Sequence, residues 1–319
     1  MAFPAPGYSL GETEDEAVEA RTAWAAVANA AVRFEPVTVV VDPGEVEAAR
    51  AVLDDEVEIV SAPLNDAWMR DIGPTFVHAE DGSVAAVDWV FNGWGAAAWA
   101  AWDKDQEIAR TVAGLAQTPL ITSLMVNEGG GIHVDGRGTV LVTETVQLGQ
   151  GRNEHWTKAD VEAELARTIG ATEVVWLPRG LTRDYELYGT RGHVDIVATF
   201  VAPGRVLLHR QDDPAHPDHE VSARLKTLLT ERFEVIDLPA PAQLRDEEGW
   251  VDWSYVNHLV VNGGVIACSF DDPNDAAAVA ILEQAYPGRE VVTVDARPIF
   301  ARGGGIHCIT QQQPSPLRL

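Results

Sequence analysis

The chain has 319 residues, of which 46% are hydrophobic, and its 49 acidic and 23 basic side chains give a formal net charge of -26. Such a negative surface repels nucleic acid and anionic membranes and attracts small cations, although part of the charge can serve solubility alone. The apolar runs are too short to cross a bilayer, and the N-terminus lacks the pattern of a secretory signal. Together with a count of only two cysteines, this predicts a cytoplasmic protein without a disulfide framework.

The first third of the chain alternates helical and extended patterns, which is typical of an α/β fold. An acidic helix is expected from Glu12 through Ala31, followed by a β-branched strand at Pro36 to Val41. A helix over Glu45 to Leu53 and a short strand over Val57 to Val60 are predicted next.

From Asn65 onward one pattern recurs: a polar turn with glycine, an extended segment, a short hairpin turn and a second strand. Helices are predicted in the intervals at Asp105 to Ala116, Lys158 to Ile169, Glu220 to Arg232 and Asp275 to Tyr286. The repeated segments contain the anchor residues Asp71, Asp135, Asp195, Asn257 and Cys308. Five such units indicate a radial array in which the anchor turns meet at the centre. No linker or composition shift divides the chain, so residues 1–319 are predicted to form a single domain.

If the turns meet, chemically active side chains converge from distant parts of the sequence: Asp71, Glu128, His193, Asp195 and Cys308. Carboxylates in a partly desolvated pocket need a cation, and a planar guanidinium suits them because paired hydrogen bonds hold it. A thiolate beside that cation can attack the guanidinium carbon, while a histidine protonates the departing ammonia and later deprotonates water.

Each of these residues also has a structural interpretation that its own pattern leaves open. Asp71 can cap a turn, Glu128 can be a surface turn residue, and Cys308 can be a small buried residue on a C-terminal strand. His193 and Asp195 alternate on an expected strand, so they share one face either as catalytic residues or as a satisfied pair.

Four neighbouring residues are predicted to lie outside the chemistry. His133 and Asp135 repeat the His-x-Asp spacing but are interpreted as structural. His307 is expected on the opposite strand face from Cys308 and is therefore not expected to be the base. Cys268 is predicted to be a core residue.

Other kinds of site are less well supported. Zinc bound by the two His-x-Asp pairs, Glu128 and Cys308 is the main alternative. The sequence lacks both His-x-x-x-His and Cys-x-x-Cys pairs, so no metal is predicted. The glycine triplets suggest a phosphate cradle, but they lack its lysine and its dinucleotide spacing, and the net charge opposes an anion.

Taken together, four motifs resemble the agmatine deiminase family, which includes the bacterial-type peptidylarginine deiminases among the guanidine-modifying enzymes. The motifs are Asn65 to Thr75, Glu128 to Gly136, Gly192 to Asp195 and, most specifically, Ile306 to Pro314. The resemblance runs from Pro36 to Pro314. It implies the pentein α/β-propeller fold, with five pseudo-symmetric ββαβ-type modules around a central site.

The resemblance also implies an activity and a set of residue roles. The expected enzyme is a cofactor-independent hydrolase of the C–N bonds of linear amidines, which converts agmatine to N-carbamoylputrescine and ammonia. Cys308 would form an amidino-thioether intermediate, and His193 would be the general acid and then the base. The remaining implied residues are the catalytic and substrate-binding Asp71, Asp195 and Glu128 and the substrate-binding Trp68 and Gly305. Family members are commonly dimers or larger, so a homo-oligomer, with a dimer as the expectation, is predicted.

Three departures from the family pattern open alternatives. The family usually has a segment before the position of Met1, so we expect an N-terminal strand to be missing. Tyr185 to Arg191 stands in place of an acidic run, and Gly131 and Gly305 replace the usual Ser and Asn. Arg191 could pair with a substrate carboxylate, which favours arginine, peptidyl arginine or a guanidino acid as an alternative substrate. A guanidine-binding homologue without turnover is the other alternative.

Overall fold

The computed structural model describes residues 1–247 and 249–317, so residue 248 and the last two residues of the predicted domain lie outside the described residues. The helices in this part of the chain are α1 (Glu14–Val32), α2 (Val46–Val52), α3 (Met69–Ile72), α4 (Gly93–Ala96), α5 (Ile108–Leu115), α6 (Glu144–Gln147), α7 (Lys158–Ile169), α8 (Asp218–Thr230), α9 (Asp275–Ala285) and α10 (Arg297–Phe300). None of these described helices is long and apolar enough to span a membrane.

The strands are short and numerous. They are β1 (Thr38–Val41), β2 (Glu58–Ser61), β3 (Thr75–His78), β4 (Val84–Val90), β5 (Leu120–Val126), β6 (Ile132–Val134), β7 (Thr139–Thr143), β8 (Glu173–Leu177), β9 (Ala198–Ala202), β10 (Arg205–Arg210), β11 (Glu234–Pro239), β12 (Leu259–Val261), β13 (Gly264–Ser269) and β14 (Glu290–Asp295). Single 3-10 turns cover Asp105–Glu107, Gly129–Gly131, Arg183–Tyr185 and Val194–Ile196.

The described strands form five small sheets with a repeated topology. In four of them an antiparallel hairpin is followed by a helix and by a third strand that runs parallel to the second: β3-β4-β5, β6-β7-β8, β9-β10-β11 and β12-β13-β14. The fifth sheet pairs β1 with β2 in parallel around α2, and Ala2 forms a single parallel bridge to Val40 of β1. Parallel neighbours require such a crossover connection. The predicted α/β fold of five modules is confirmed.

Local signals in the sequence determine where the long helices begin. The hydroxyl of Thr13 accepts a hydrogen bond from the backbone N–H of Glu16, and the Glu16 carboxylate accepts one from the N–H of Thr13. Thr157 and Asp160 form the same reciprocal pair at the start of α7. Each pair satisfies two backbone donors that the helix itself leaves free. The predicted bounds of α7, Lys158 and Ile169, are confirmed.

The middle strand of each three-stranded module is largely buried, as in β7 and β13. Strands that are covered on both faces are continuous apolar runs in sequence rather than alternations. Cys268 lies in β13 with 2% of its surface exposed, so its predicted place in the core is confirmed.

Two expected strands are wrong. The strand expected from Gly192 begins only at Ala198, because Val194–Ile196 form a 3-10 turn. Residues 306–309 also form a turn instead of a C-terminal strand. The backbone of this turn contacts the short helix α3 and not a strand, since the N–H of Arg70 donates to the carbonyl oxygen of Cys308 at 3.0 Å. Both segments are turns that supply side chains to the centre of the modules instead of pairing in a sheet.

Candidate active site

Five turns at the inner ends of the modules bring polar residues together. Four of these turns precede the first strand of a hairpin, and the fifth follows α10 near the end of the chain. In chain order they supply Asp71, Glu128, Asp195, Asn257 and Cys308. The second module contributes Glu128, not the anchor Asp135 that the repeat suggested. Asp135 lies in the turn between β6 and β7, where its carboxylate accepts the N–H groups of Arg137 and Thr139.

Cys308 is buried, with 7% of its surface exposed. Its Sγ lies 3.3 Å from Asn257 Nδ2 and 3.4 Å from Asp195 Oδ2. Burial and the nearby carboxylates of Asp195 and Asp71 raise the pKa of the thiol well above its ordinary value. The unliganded thiol is therefore neutral, and a cation bound between the carboxylates would favour the thiolate.

Asp195 has one carboxylate oxygen in use and one without a partner. Its Oδ2 lies 2.8 Å from His307 Nδ1, whereas its buried Oδ1 has no hydrogen-bond partner among the described residues. Burial raises the pKa of this carboxyl, but the hydrogen bond from His307 and the charges around it outweigh that effect and lower it. A buried carboxylate oxygen without a donor indicates a place for a ligand.

His307 does not point away from the site, so its expected placement opposite Cys308 is wrong. Side chains alternate between faces only on a strand, and residues 306–309 form a turn. The turn directs both His307 and Cys308 toward Asp195 Oδ2.

Asp71 is held by two donors from other loops. Trp94 Nε1 donates to its Oδ2 at 2.8 Å, and the N–H of Gly130 donates to its Oδ1 at 3.0 Å. Burial raises its pKa to about 6, an effect that His193 opposes and that Asp195 and Glu128 reinforce. A side chain at Gly130 is excluded, because its Cβ would lie 2.5 Å from His193 Nδ1.

His193 lies between two carboxylates. Its Nε2 is 3.2 Å from Glu128 Oε2, and its Nδ1 is 3.9 Å from Asp71 Oδ1. Burial alone would lower the pKa of this imidazole, but Asp71 and Glu128 outweigh burial and raise it to about 9. His193 is therefore an imidazolium at neutral pH.

Glu128 is paired with a residue that sequence reasoning missed. Arg152 Nε lies 3.0 Å from both carboxylate oxygens, and both side chains are 0% exposed. Burial raises the pKa of Glu128, but Arg152 and then His193 outweigh it and lower the pKa to about 2. Glu128 therefore remains ionised and holds the charge of His193 in place.

Three further residues position this site, and only one carried a sequence signal. Asn257 was an anchor of the repeat, and its Oδ1 accepts the N–H of His307 at 2.9 Å while its Nδ2 donates to the carbonyl of Asp195 at 3.2 Å. Asp184 accepts the N–H groups of Gly192 at 2.6 Å and His193 at 3.0 Å. The third residue is Trp94, which donates to Asp71. Neither Asp184 nor Trp94 lies at an anchor position of the repeat.

A small cavity of about 20 Å³ adjoins the thiol. Its lining consists of Trp68, Asp71, Trp94, Trp99, Tyr188, Thr190, Arg302, Gly303 and Cys308. The sequence-predicted Trp68 thus faces the cavity. Gly305 is not among the lining residues: a Cβ there would collide with Asn257 Oδ1 and lie 2.7 Å from the Phe300 ring, whereas one at Gly304 would lie 3.2 Å from Cys308 Sγ.

Arg191 does not line this cavity. It adopts a left-handed backbone conformation with φ of 69°, and its Nη1 donates to the carbonyl oxygen of Gln150 at 2.6 Å. Within residues 1–247 and 249–317, no group of three or more His, Cys, Asp and Glu side chains is arranged to hold a metal ion.

Comparison with known proteins gives consistent results. The sequence profile of the family described as Porphyromonas-type peptidyl-arginine deiminase matches residues 1–314. A Streptomyces coelicolor protein provisionally named an agmatine deiminase is 56% identical over 98% of this chain and 95% of its own length. The agmatine deiminase of Pseudomonas aeruginosa strain LESB58 is 42% identical over 93% of this chain and 88% of its own length. The solved structure of Enterococcus faecalis agmatine deiminase has a TM-score of 0.91 and 30% identity, covering 99% of this chain and 93% of that one.

The fold and these similarities define a hydrolase that acts on the C–N bonds of linear amidines. The chain belongs to the family of Porphyromonas-type peptidyl-arginine deiminases, which includes the agmatine deiminases. The predicted family and enzyme class are both confirmed.

Proposed function

We propose that this protein is an agmatine deiminase that uses Cys308 as its nucleophile and releases N-carbamoylputrescine and ammonia. The observation that carries the proposal is the unpaired Asp195 Oδ1 beside a buried thiol, since Sγ lies 3.4 Å from the other oxygen of the same carboxylate. The free oxygen lacks a hydrogen-bond donor among the described residues, and a guanidinium supplies donors, a positive charge and a carbon that a thiolate can attack.

Binding and activation occur together in this mechanism. Asp71 and Asp195 hold the guanidinium by charge-assisted hydrogen bonds. Its positive charge offsets the carboxylates that raise the pKa of the Cys308 thiol, so the thiol loses its proton to solvent and the thiolate forms where the substrate is bound. The thiol is thereby protected in the empty site and activated in the occupied one.

Bond exchange then follows in two halves. In the first, Sγ of Cys308 bonds to the guanidinium carbon, His193 donates a proton to one nitrogen, and the C–N bond breaks to release ammonia. The product of this half-reaction is an amidino-thioether. In the second, neutral His193 takes a proton from water, and the water oxygen bonds to the same carbon. The C–S bond then breaks while the new hydroxyl releases its proton to solvent, which gives the ureido product and the thiolate. Glu128 keeps His193 charged for the first half-reaction.

The reason for considering a carboxylated guanidine as the substrate no longer holds. It rested on Arg191, whose guanidinium is hydrogen-bonded to Gln150 and does not line the cavity. Arg302 does line the cavity, but its guanidinium donates to Ser9 O and Glu19 Oε2 instead.

The test measures ureido product by colorimetry and mass spectrometry with agmatine as substrate. Wild type and Cys268→Ala, which changes the other cysteine, should form product and ammonia in equal amounts, and Cys308→Ala should form none. Rapid quenching should leave on the Cys308 peptide the added mass of agmatine less ammonia. Product formation by folded Cys308→Ala would exclude the nucleophile. The absence of product from folded wild type would favour a binding protein without turnover.

We also propose that the protein acts in the cytoplasm as one domain, without a cofactor, and as a homodimer. Light scattering of the purified protein tests the last point, because a monomer at micromolar concentration would contradict it. Activity that persists after exhaustive dialysis against a chelator is expected.

A further inference from the structure

The cavity beside Cys308 is too small for a substrate. A volume of about 20 Å³ has room for roughly one water molecule, since one water needs about 10–15 Å³ of such volume. A guanidine with an alkyl tail does not fit until a wall moves. Four aromatic rings line the cavity, those of Trp68, Trp94, Trp99 and Tyr188, and Tyr8 packs behind the last two.

The rings form one continuous series from the carboxylate to the surface. Trp94, which donates to Asp71, stacks on Trp99 with centroids 5.1 Å apart and an interplanar angle of 15°. Trp99 meets Tyr188 edge to face at 5.4 Å and 71°. Tyr188 in turn stacks on Tyr8 at 4.2 Å and 20°. Aromatic pairs of this geometry are attractive beyond the area that they bury.

Tyr188 is the ring best placed to move. It has a φ of 78°, which is uncommon for a residue other than glycine, and 39% of its surface is exposed. Trp99 lies in the segment between α4 and α5, and Tyr8 lies in the loop before α1. Because Tyr8, Trp99 and Tyr188 lie outside the described helices and strands, the three rings can separate without breaking a helix or a sheet.

The lining of the cavity has little charge beyond its floor. Among the described residues that line it, Asp71 is the only carboxylate. The guanidinium of Arg302 is turned toward α1, where it donates to Ser9 O at 2.8 Å and to Glu19 Oε2 at 2.9 Å. A second positive charge on the substrate tail would therefore meet ring faces. Aromatic faces attract ammonium groups through their quadrupole and offer no donor to a carboxylate.

We propose that Tyr8, Trp99 and Tyr188 form an aromatic gate that closes over Cys308 and binds the substrate tail. The distal ammonium is recognised by the ring faces rather than by a carboxylate. This specificity role rests on the proposed deiminase function, whereas the closing role concerns only access to the thiol.

The specificity test compares agmatine with butylguanidine, which has the same four-carbon chain but lacks the distal ammonium. Wild type should prefer agmatine in kcat/KM by about 3- to 30-fold, the range of a cation–π contact. Trp99→Leu should lower this preference to about twofold or less, whereas Trp99→Phe should keep most of it. Because these variants share one net charge, the long-range attraction of the dication cancels in the comparison.

Two controls separate tail recognition from support of Asp71. Trp176→Leu, which removes an indole from β8, should keep the wild-type preference. If Trp99→Leu lowered kcat/KM for both guanidines by the same factor, Trp99 would only support Trp94 and Asp71, and the recognition role would be excluded. No preference in wild type would exclude it as well.

The closing role is tested without turnover by the rate at which iodoacetamide alkylates Cys308, read by peptide mass spectrometry. Tyr188→Ala and, as a second variant, Tyr8→Ala should each raise this rate by about tenfold, because less of the gate must open. Tyr188→Phe should match wild type, and Cys268 should remain unmodified throughout. Wild-type rates in both alanine variants would exclude the gate. If wild type converts no guanidine, the deiminase function fails, but the alkylation rates still decide whether the gate exists.

Discussion

The sequence contains two His-x-Asp pairs with the same spacing, and the structure puts them in opposite environments. His193 lies in a turn between Glu128 and Asp71, which raise its pKa to about 9. His133 lies on β6, where it contacts the hydroxyl of Thr199 and the backbone N–H of Phe200. Burial, followed by the positive groups nearby, lowers the pKa of His133 to about 3.

The difference between the pairs comes from their place in the module and not from their spacing. His193 and Asp195 precede the first strand of a hairpin, at the inner end of the module. His133 lies within such a strand, and Asp135 lies in the hairpin turn beyond it. A spacing motif therefore acquires chemistry only when its element ends at the centre, where the carboxylates of other modules reach it.

The largest expected effect separates the two histidines by activity. His193→Gln should lower kcat for agmatine by about 10²–10⁴-fold, because it removes the general acid and base. His133→Gln should stay within about threefold of wild type, because it touches no reacting atom. Steady-state kinetics on the two purified variants measures both. Equal losses in the two variants would remove the distinction between a catalytic and a structural pair.

The two aspartates give the next contrast. Asp195→Asn should lower kcat/KM by about 10²–10³-fold, since it removes one of the charges that stabilise the bound cation. In the free enzyme it should also lower the pKa of Cys308, because Asp195 helps to raise it. Activity should thus fall while alkylation of Cys308 by iodoacetamide near pH 8 becomes faster.

Asp135→Asn is the matched control for that pair. It should change neither kcat/KM nor the alkylation rate and should cost at most about 1 kcal/mol of folding free energy, because an amide oxygen can still accept in the turn. Slower alkylation in Asp195→Asn would contradict the proposed electrostatic control of the thiol.

The pH profile should sharpen the contrast between the histidines. With Asp71 ionised above a pKa of about 6 and His193 protonated below about 9, kcat/KM should be bell-shaped. Glu128→Gln should move the alkaline limb to lower pH by about one unit, because it removes a charge that raises the pKa of His193. His133→Gln should leave that limb in place. A flat profile between pH 5 and 10 would exclude the proposed roles of Asp71 and His193.

The sequence predicted more of the fold than of the candidate site. Periodicity and turn residues predicted the helices and hairpins, and the repeat predicted that distant turns meet. The strand expected around Cys308 was wrong, because a β-branched pattern does not reveal that no partner strand is available. Arg152 was missed because it lies 24 residues after Glu128 in the sequence, and the two side chains meet only in the folded chain.

The aromatic series shows the same limit more sharply. Tyr8, Trp99 and Tyr188 come from three segments without a shared motif, and nothing in their local patterns links them. The His-x-Asp spacing did not separate His133 and Asp135 from His193 and Asp195, because both pairs have it. Only the folded structure, in which the inner ends of the modules meet, shows which of these residues lie at the site.

The smallest expected effect concerns folding stability and has opposite signs for the two histidines. His193 has a raised pKa, so its contribution is complete below its ordinary value of 6.5 and is lost as the pH rises toward about 9. His133 has a lowered pKa, so the folded state loses stability as the pH falls from 6.5 toward about 3. His193→Gln should therefore flatten the alkaline decline in unfolding free energy, and His133→Gln should reduce the acid decline, which His209 and His258 share. Each histidine changes the slope by at most about 1.4 kcal/mol per pH unit. Urea unfolding from pH 5 to 9 measures both slopes, and an alkaline slope in His193→Gln equal to that of wild type would show that the buried imidazolium does not stabilise the fold.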